Sequence, residues 1–197
     1  MIWKSSDGET WTGAMIPEAS SVDRYSNSIF YANNIFVVGC SQRYIMTSDD
    51  NFSSCSFSFI EDANNQLWKR TTYGSGKFVT VGSTGVVAVS TDNGGTWNKY
   101  TTETGSLHSI AYGNGKFVAV GNDAILYSEN GSTWTIKSLT GFIPCNIVYL
   151  DNMFVILGQN GCIMTSKDGI SWSNSIQIKD ESGAYVTENL YGIITMQ

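Results

Sequence analysis

Short apolar runs separated by small polar clusters cover most of the chain, and the runs recur. YGSGKFVTVG (73–82) and YGNGKFVAVG (112–121) are nearly identical. YLDNMFVILG (149–158) and YANNIFVVGC (31–40) follow the same template, and AYVTENLYGII (184–194) reads as a weaker fifth copy. In each, a Tyr precedes an apolar residue by five places: Tyr31/Phe36, Tyr73/Phe78, Tyr112/Phe117, Tyr149/Phe154 and Tyr185/Leu190. A second element follows the first four copies: an apolar run, then Ser, an acidic or amide residue, Gly, and Trp. It reads VSTDNGGTW (89–97), YSENGSTW (127–134) and TSKDGISW (165–172), and also KSSDGETW (4–11) at the start; the copy at 47–54 has lost its Gly and Trp. Self-similarity at this period marks a repeat architecture.

Each unit reads as four short strands. In the clearest copy, residues 109–112 form the first strand and Asn114-Gly115 a tight turn, because both central positions of such a hairpin favour residues that tolerate positive φ. Residues 117–120, 124–128 and 133–137 supply the other three, with turn residues between them. Four antiparallel strands per period of about 40 residues describe a propeller blade. The expected fold is therefore an all-β, single-domain β-propeller. On the template the chain starts at a third strand and stops after a second. This predicts five blades: 182–197 plus 1–13, then 28–59, 70–100, 109–138 and 146–175. The N-terminal strands (1–13) would complete the blade begun by the C-terminal strands (182–197), leaving no raw edge. The rival arrangement is part of a larger ring, or open halves completed by another chain.

The motif Ser-x-Asp-x-Gly-x-Thr-Trp stands complete at Ser90, Asp92, Gly94, Thr96 and Trp97. One residue shorter, it recurs at Ser5, Asp7, Gly8, Trp11; at Ser128, Asn130, Gly131, Trp134; and at Ser166, Asp168, Gly169, Trp172. It resembles the Asp-box, or bacterial neuraminidase repeat. With the Tyr–Phe strand pair, it makes the chain similar to Asp-box β-propeller proteins, of the phage and bacterial surface type rather than true sialidases. The resemblance covers almost the whole chain and implies a structural role for these residues at outer-rim turns. It does not imply a chemistry, since fold does not fix function. The residue types suit a structural role. A turn Asp accepts backbone N–H groups, Gly takes the backbone angle others resist, and Trp buries a large area between sheets.

Composition narrows the chemistry. Eleven Lys and Arg against seventeen Asp and Glu leave a net charge of −6, which argues against a nucleic-acid partner. No apolar run reaches the length of a membrane span, so no membrane insertion is expected, and the N-terminus carries no signal-peptide pattern. Cytoplasmic production follows as an expectation, with the four cysteines as free thiols. One His and three Arg (Arg24, Arg43, Arg70) leave little for acid–base or sialidase chemistry. His108 has no partner at ligand spacing, so no metal and no cofactor are expected. The turn carboxylates are too few for calcium. Asp23, Glu61, Asp62, Glu103, Asp123, Asp180 and Glu181 all fall in loops, where a glycosidase pair would have to be found.

The loops from each fourth strand to the next first strand share one face. There Trp68, Asp23, Arg24, Tyr25, Glu61, Asp62, Arg70 and His108 are the candidate ligand-binding residues. An aromatic ring beside amide and acidic groups suits a sugar. The polar positions Ser28, Arg70, Ser109, Asn146 and Ser182 open the first strands and would line the mouth of a central channel. No catalytic residue is assigned. The expected function is a non-catalytic binding or adhesion module, recognising a glycan or protein surface, on a phage tail, baseplate or other virion surface among other virion proteins. The alternatives are a purely structural assembly scaffold and a glycoside hydrolase of sialidase-like ancestry.

Overall fold

A computed structural model describes residues 2–14, 25–49, 52, 54–61 and 67–193. Its regular elements are strands, apart from one 3-10 turn at Ser83–Gly85. Four sheets of four antiparallel strands follow one another along the chain. The first blade holds β3 (Ser26–Ala32), β4 (Ile35–Cys40), β5 (Tyr44–Asp49) and β6 (Cys55–Phe59). The second holds β7 (Trp68–Gly74), β8 (Lys77–Gly82), β9 (Val86–Ser90) and β10 (Asn98–Thr101). The third holds β11 (Leu107–Gly113), β12 (Lys116–Gly121), β13 (Ala124–Ser128) and β14 (Thr135–Ser138). The fourth holds β15 (Pro144–Leu150), β16 (Met153–Gly158), β17 (Cys162–Ser166) and the short β18 (Ile176–Gln177). Upstream, β1 (Ile2–Lys4) and β2 (Thr12–Ala14) form a separate two-stranded hairpin.

The five-place Tyr–Phe spacing follows from the turns. Each first hairpin closes through two residues at positive φ, such as Asn114 and Gly115, and a two-residue tip sets residues i and i+5 opposite each other. Tyr31, Tyr73, Tyr112 and Tyr149 accordingly pair with Phe36, Phe78, Phe117 and Phe154. Their ring centroids lie 4.6–4.7 Å apart.

First strands touch first strands: β3 meets β7, β7 meets β11, and β11 meets β15. They stand innermost around a shared channel, and the apolar faces of successive sheets meet as cores. Val37, Ile45 and Phe30 of the first blade pack on Phe78, Ala88 and Tyr73 of the second. Val79, Val87 and Val89 pack on Ile110, Ala119 and Leu126. Val118, Ile125 and Ala111 pack on Ile147, Ile156 and Met164. Two contacts recur at these interfaces. The first-strand Tyr lies on a small residue of the preceding blade, so a Cβ at Gly74 would run into the Tyr112 ring, and one at Gly113 into the Tyr149 ring. The outer-turn Gly of the second, third and fourth blades rests on the preceding blade. A Cβ there would come within 2.6 Å of Thr47 for Gly94, 2.9 Å of Val79 for Gly131, and 2.8 Å of Val118 for Gly169.

Residues beyond the fourth blade depart from the expected fifth copy. Tyr185 and Leu190 do not face each other across a hairpin. Tyr185 pairs with Lys179, whose Nζ sits 4.6 Å from the tyrosine ring centroid. Leu190 N instead donates to Gly158 O at 3.0 Å, Asn146 Nδ2 donates to Tyr191 O at 2.7 Å, and residues 191–193 line the channel. This is the lane of a first strand, not of a second. Leu150 stands where Ala32, Gly74 and Gly113 stand in the other blades, so a larger side chain replaces the small seat on which Tyr73, Tyr112 and Tyr149 lie. No strand pairing joins 182–193 to the N-terminal hairpin among the described residues.

Copying the fourth blade's residue into an internal interface tests that seat. Gly113→Leu is expected to destabilise the fold by about 1–3 kcal/mol through overpacking against Tyr149, read as a lower denaturant midpoint at unchanged slope. An unchanged midpoint would refute the Tyr-on-Gly account.

Candidate functional site: the channel mouth and the outer turns

Each first strand carries a β-bulge near its start. Pairing skips one residue between Ser26 and Ser28, Trp68 and Arg70, Leu107 and Ser109, and Pro144 and Asn146. The extra residues are Asn27, Lys69, His108 and Cys145. A bulge re-aims side chains and ends regular pairing, and here it does so four times on the same face. The polar positions expected at the channel mouth follow one step later. Ser109 Oγ donates to Asn146 Oδ1 at 2.6 Å, and Arg70 Nη2 reaches the same oxygen at 3.5 Å. The four first strands and residues 191–193 line an open cavity of about 480 Å³ whose lining includes Phe30, Arg70, Ile110, Asn146, Tyr149 and Tyr191. Its described lining contains no Asp or Glu, and Arg70 is exposed toward it.

Beside the mouth, Lys69 Nζ donates to Ser106 Oγ at 2.8 Å and to His108 Nδ1 at 3.1 Å. His108 Nε2 contacts Asn122 Oδ1. An amide oxygen only accepts, so the proton belongs on Nε2 and Nδ1 takes the ammonium's hydrogen bond. Burial, with a smaller contribution from the Lys69 charge, holds His108 below its usual range against the opposing pull of Asn122. Burial likewise lowers Lys69. Burial raises the Cys145 thiol, which makes it a poor nucleophile.

The candidate residues scatter. Trp68 is a correction: it is 0 % exposed, packs between the first and second blades, and offers no ring face at the surface. Its size and position before the bulge make it core. Tyr25 is exposed, held by its N–H on Ser41 Oγ at 2.9 Å. Glu61 is exposed at the end of the first blade. Arg70 and His108 sit at the mouth. Asp23, Arg24 and Asp62 lie outside the described residues. Lys69, Asn122 and Tyr191 were missed in the sequence. The bulge that brings Lys69 to His108 leaves no mark in residue pattern.

The outer turns occupy the opposite face. Asp92 Oδ1 accepts from Ser90 Oγ and Thr96 N, both at 2.8 Å, and Asp92 Oδ2 accepts from Thr96 Oγ1 at 2.6 Å. Gly94 N donates to Ser90 Oγ, and Trp97 Nε1 to Gly94 O. Ser5–Trp11 and Ser166–Gly169 repeat the frame around Asp7 and Asp168. Trp172 differs, its indole N–H having no acceptor. Asn130 replaces the carboxylate with the same geometry, accepting from Ser132 N and Thr133 N at 2.9 Å. The Thr96 hydroxyl and N–H, with Ser90, hold Asp92 down to about 2. Backbone N–H groups hold Asp7 and Asp168 well below the usual carboxylate range. In the first blade, whose turn lacks the Gly and the Trp, Phe52 sits at φ 54° and stacks on Phe36 with centroids 4.5 Å apart.

No family model and no curated protein matches the chain. Solved structures do. A chain described as YCF48 bound to D1 peptide aligns over 86% of this chain with TM-score 0.64 and 17% identity. The computationally designed Ika4 protein aligns over 79% of this chain and 98% of its own, with TM-score 0.60 and 13% identity. A chain of the mitotic checkpoint complex aligns over 84% of this chain and 58% of its own, with TM-score 0.59 and 8% identity. The first and third are propeller-like. The match spans 57% of the YCF48 chain. At these identities the likeness is of fold, and the fold is propeller-like.

Two measurements check the site. The folded-state values of Asp92 and Asp168 lie below the unfolded value near 3.9. Their stabilisation is therefore complete above about pH 4 and is lost as pH falls toward 2. Asp92→Asn with Asp168→Asn, copying Asn130, should flatten that acid slope while retaining the fold at pH 7. Separately, Lys69→Met should raise the His108 titration midpoint toward its ordinary value in an NMR pH series; no change would remove the charge contact as a cause.

Proposed function

We propose that the protein is a non-catalytic binding module of the Asp-box propeller kind, and that its channel mouth receives an acidic segment of a partner protein. One observation carries this reading. Arg70 presents its guanidinium to an open 480 Å³ cavity with no described carboxylate in its lining, and spends one long hydrogen bond on Asn146. A guanidinium has five N–H donors in a rigid fork that matches a carboxylate. Most of that capacity is uncommitted. The YCF48 chain of the same fold was solved with a D1 peptide bound, which supports a peptide segment as the ligand. A cavity lining without Asp or Glu gives no support to a glycosidase carboxylate pair there. The sequence-based glycan and virion partners have no comparable supporting contact.

Fluorescence anisotropy with a library of labelled Asp- and Glu-containing peptides tests the proposal. Binding should weaken about 10- to 100-fold in Arg70→Ala, the loss expected for a charge-assisted hydrogen bond, with Arg70→Lys between. Binding unaffected by Arg70→Ala, or no preference over amidated Asn/Gln versions, would overturn it.

A further inference from the structure

Asn-Gly and Asp-Gly are the chemically weak dipeptides of a chain. Glycine has no side chain to keep the preceding Asx side-chain carbon away from its backbone nitrogen, so a five-membered imide closes there more readily than before other residues. The chain holds six such pairs: Asp7-Gly8, Asn93-Gly94, Asn114-Gly115, Asn130-Gly131, Asn160-Gly161 and Asp168-Gly169. Ring closure requires the glycine nitrogen to give up its proton and turn toward the side-chain carbon. A glycine N–H that already donates to a fixed acceptor must break that bond first.

Five of the six are held in this way. Gly8 N donates to Ser5 Oγ, Gly94 N to Ser90 Oγ and Gly131 N to Ser128 Oγ, each at 2.8 Å, and Gly169 N to Ser166 Oγ at 2.9 Å. Gly161 N donates to Glu188 O at 2.7 Å. In four of these the acceptor is the serine that opens the Asp-box turn, so the same hydroxyl that shapes the turn also ties down its reactive nitrogen.

Asn114-Gly115 differs. It is the tip of the third blade's first hairpin, and both residues are exposed. Gly115 N has no acceptor among the described residues, and nothing lies within 4 Å of its Cβ position. The corresponding tips of the other blades, Asn33-Asn34, Ser75-Gly76 and Asp151-Asn152, share its positive-φ geometry but carry no Asx-Gly pair. The Asn114 side chain also has a task. Its Nδ2 donates to Lys167 O at 3.2 Å, joining the third blade's tip to the fourth blade's outer turn.

We propose that Asn114 is a site of spontaneous deamidation, and that the glycine hydrogen bonds of the other pairs protect them from the same reaction. Gly115 N loses its proton to solvent and bonds to Asn114 Cγ. The Cγ–Nδ2 bond breaks, and the nitrogen takes up a proton and leaves as ammonia. Water, the only co-reactant, then opens the imide at either carbonyl and leaves an aspartyl or an isoaspartyl residue at position 114. Either product has a carboxylate, which has no hydrogen to donate to Lys167 O. The isoaspartyl product also routes the main chain through Cβ. It thereby lengthens a two-residue tip whose geometry sets Tyr112 opposite Phe117. The modification therefore falls on the contact between the third and fourth blades.

Peptide mapping by mass spectrometry tests this on the full chain aged in warm, mildly alkaline buffer. The mass gain of an amide-to-acid change should accumulate at Asn114 about 10-fold faster than at Asn93, Asn130 or Asn160, the cost of first breaking one backbone hydrogen bond. In denaturant, where no acceptor holds any glycine, the four sites should react at similar rates. Comparable rates in the folded protein, an Asn114 that stays intact there, or the same ranking in denaturant would overturn the proposal. Asn114→Gly keeps a residue suited to the positive-φ tip and removes the amide. Its denaturant midpoint should stay constant on ageing, while that of the original protein falls toward it. A midpoint that holds while position 114 converts would overturn the claim that the blade contact is lost.

Discussion

Everything in this molecule depends on how closely two sheets approach at the tyrosine of each first strand. The ring of Tyr112 or Tyr149 lies flat on a glycine of the blade before it, and a single added carbon would occupy the same space. That contact sets the distance between blades near the channel. The outer-turn glycine sets it at the rim. With both ends of the interface fixed, the alternating Val, Ile and Ala side chains between them pack as a wedge of constant width. The protein interior tolerates little error in such spacing, because close-packed side chains feel the volume of one methylene.

The same constraint explains where repetition stops. On the fourth blade Leu150 stands where the internal interfaces keep Ala or Gly under the tyrosine, and the first blade's outer turn has neither the glycine nor the tryptophan of the others. A repeat protein needs its terminal units to differ from its internal ones, and these are positions an internal blade keeps for contact with a neighbour.

Much of this was legible in residue pattern. Tyr–Phe spacing and two-residue turns identified the hairpins, and Ser-x-Asp turns identified the third and fourth strands. Both signals are local, and local rules govern hairpin geometry. The copy at 184–194 misled because a Tyr and a Leu five apart satisfy the spacing without the turn: Thr187-Glu188-Asn189 supplies no tight tip, and Leu150 stands where the small seat would be. Trp68 misled because it lies outside the repeated motif, yet its place is the start of a first strand, where Leu107 and Pro144 are also buried. The cluster of Lys69, His108 and Asn122 was invisible because it joins residues of different blades through a bulge, and no period in the sequence records an extra residue in one strand.

That bulge separates two tasks within one strand. From the bulge inward, residues alternate between two packed faces and must keep their size. The bulged residue belongs to neither face, and Asn27, Lys69, His108 and Cys145 have in common neither charge, shape nor size. These four positions stand beside the cavity rather than in its lining, and Lys69 and His108 meet there across two blades. The rim of the mouth can thus be re-lettered while the alternating faces of the wedge keep their residues.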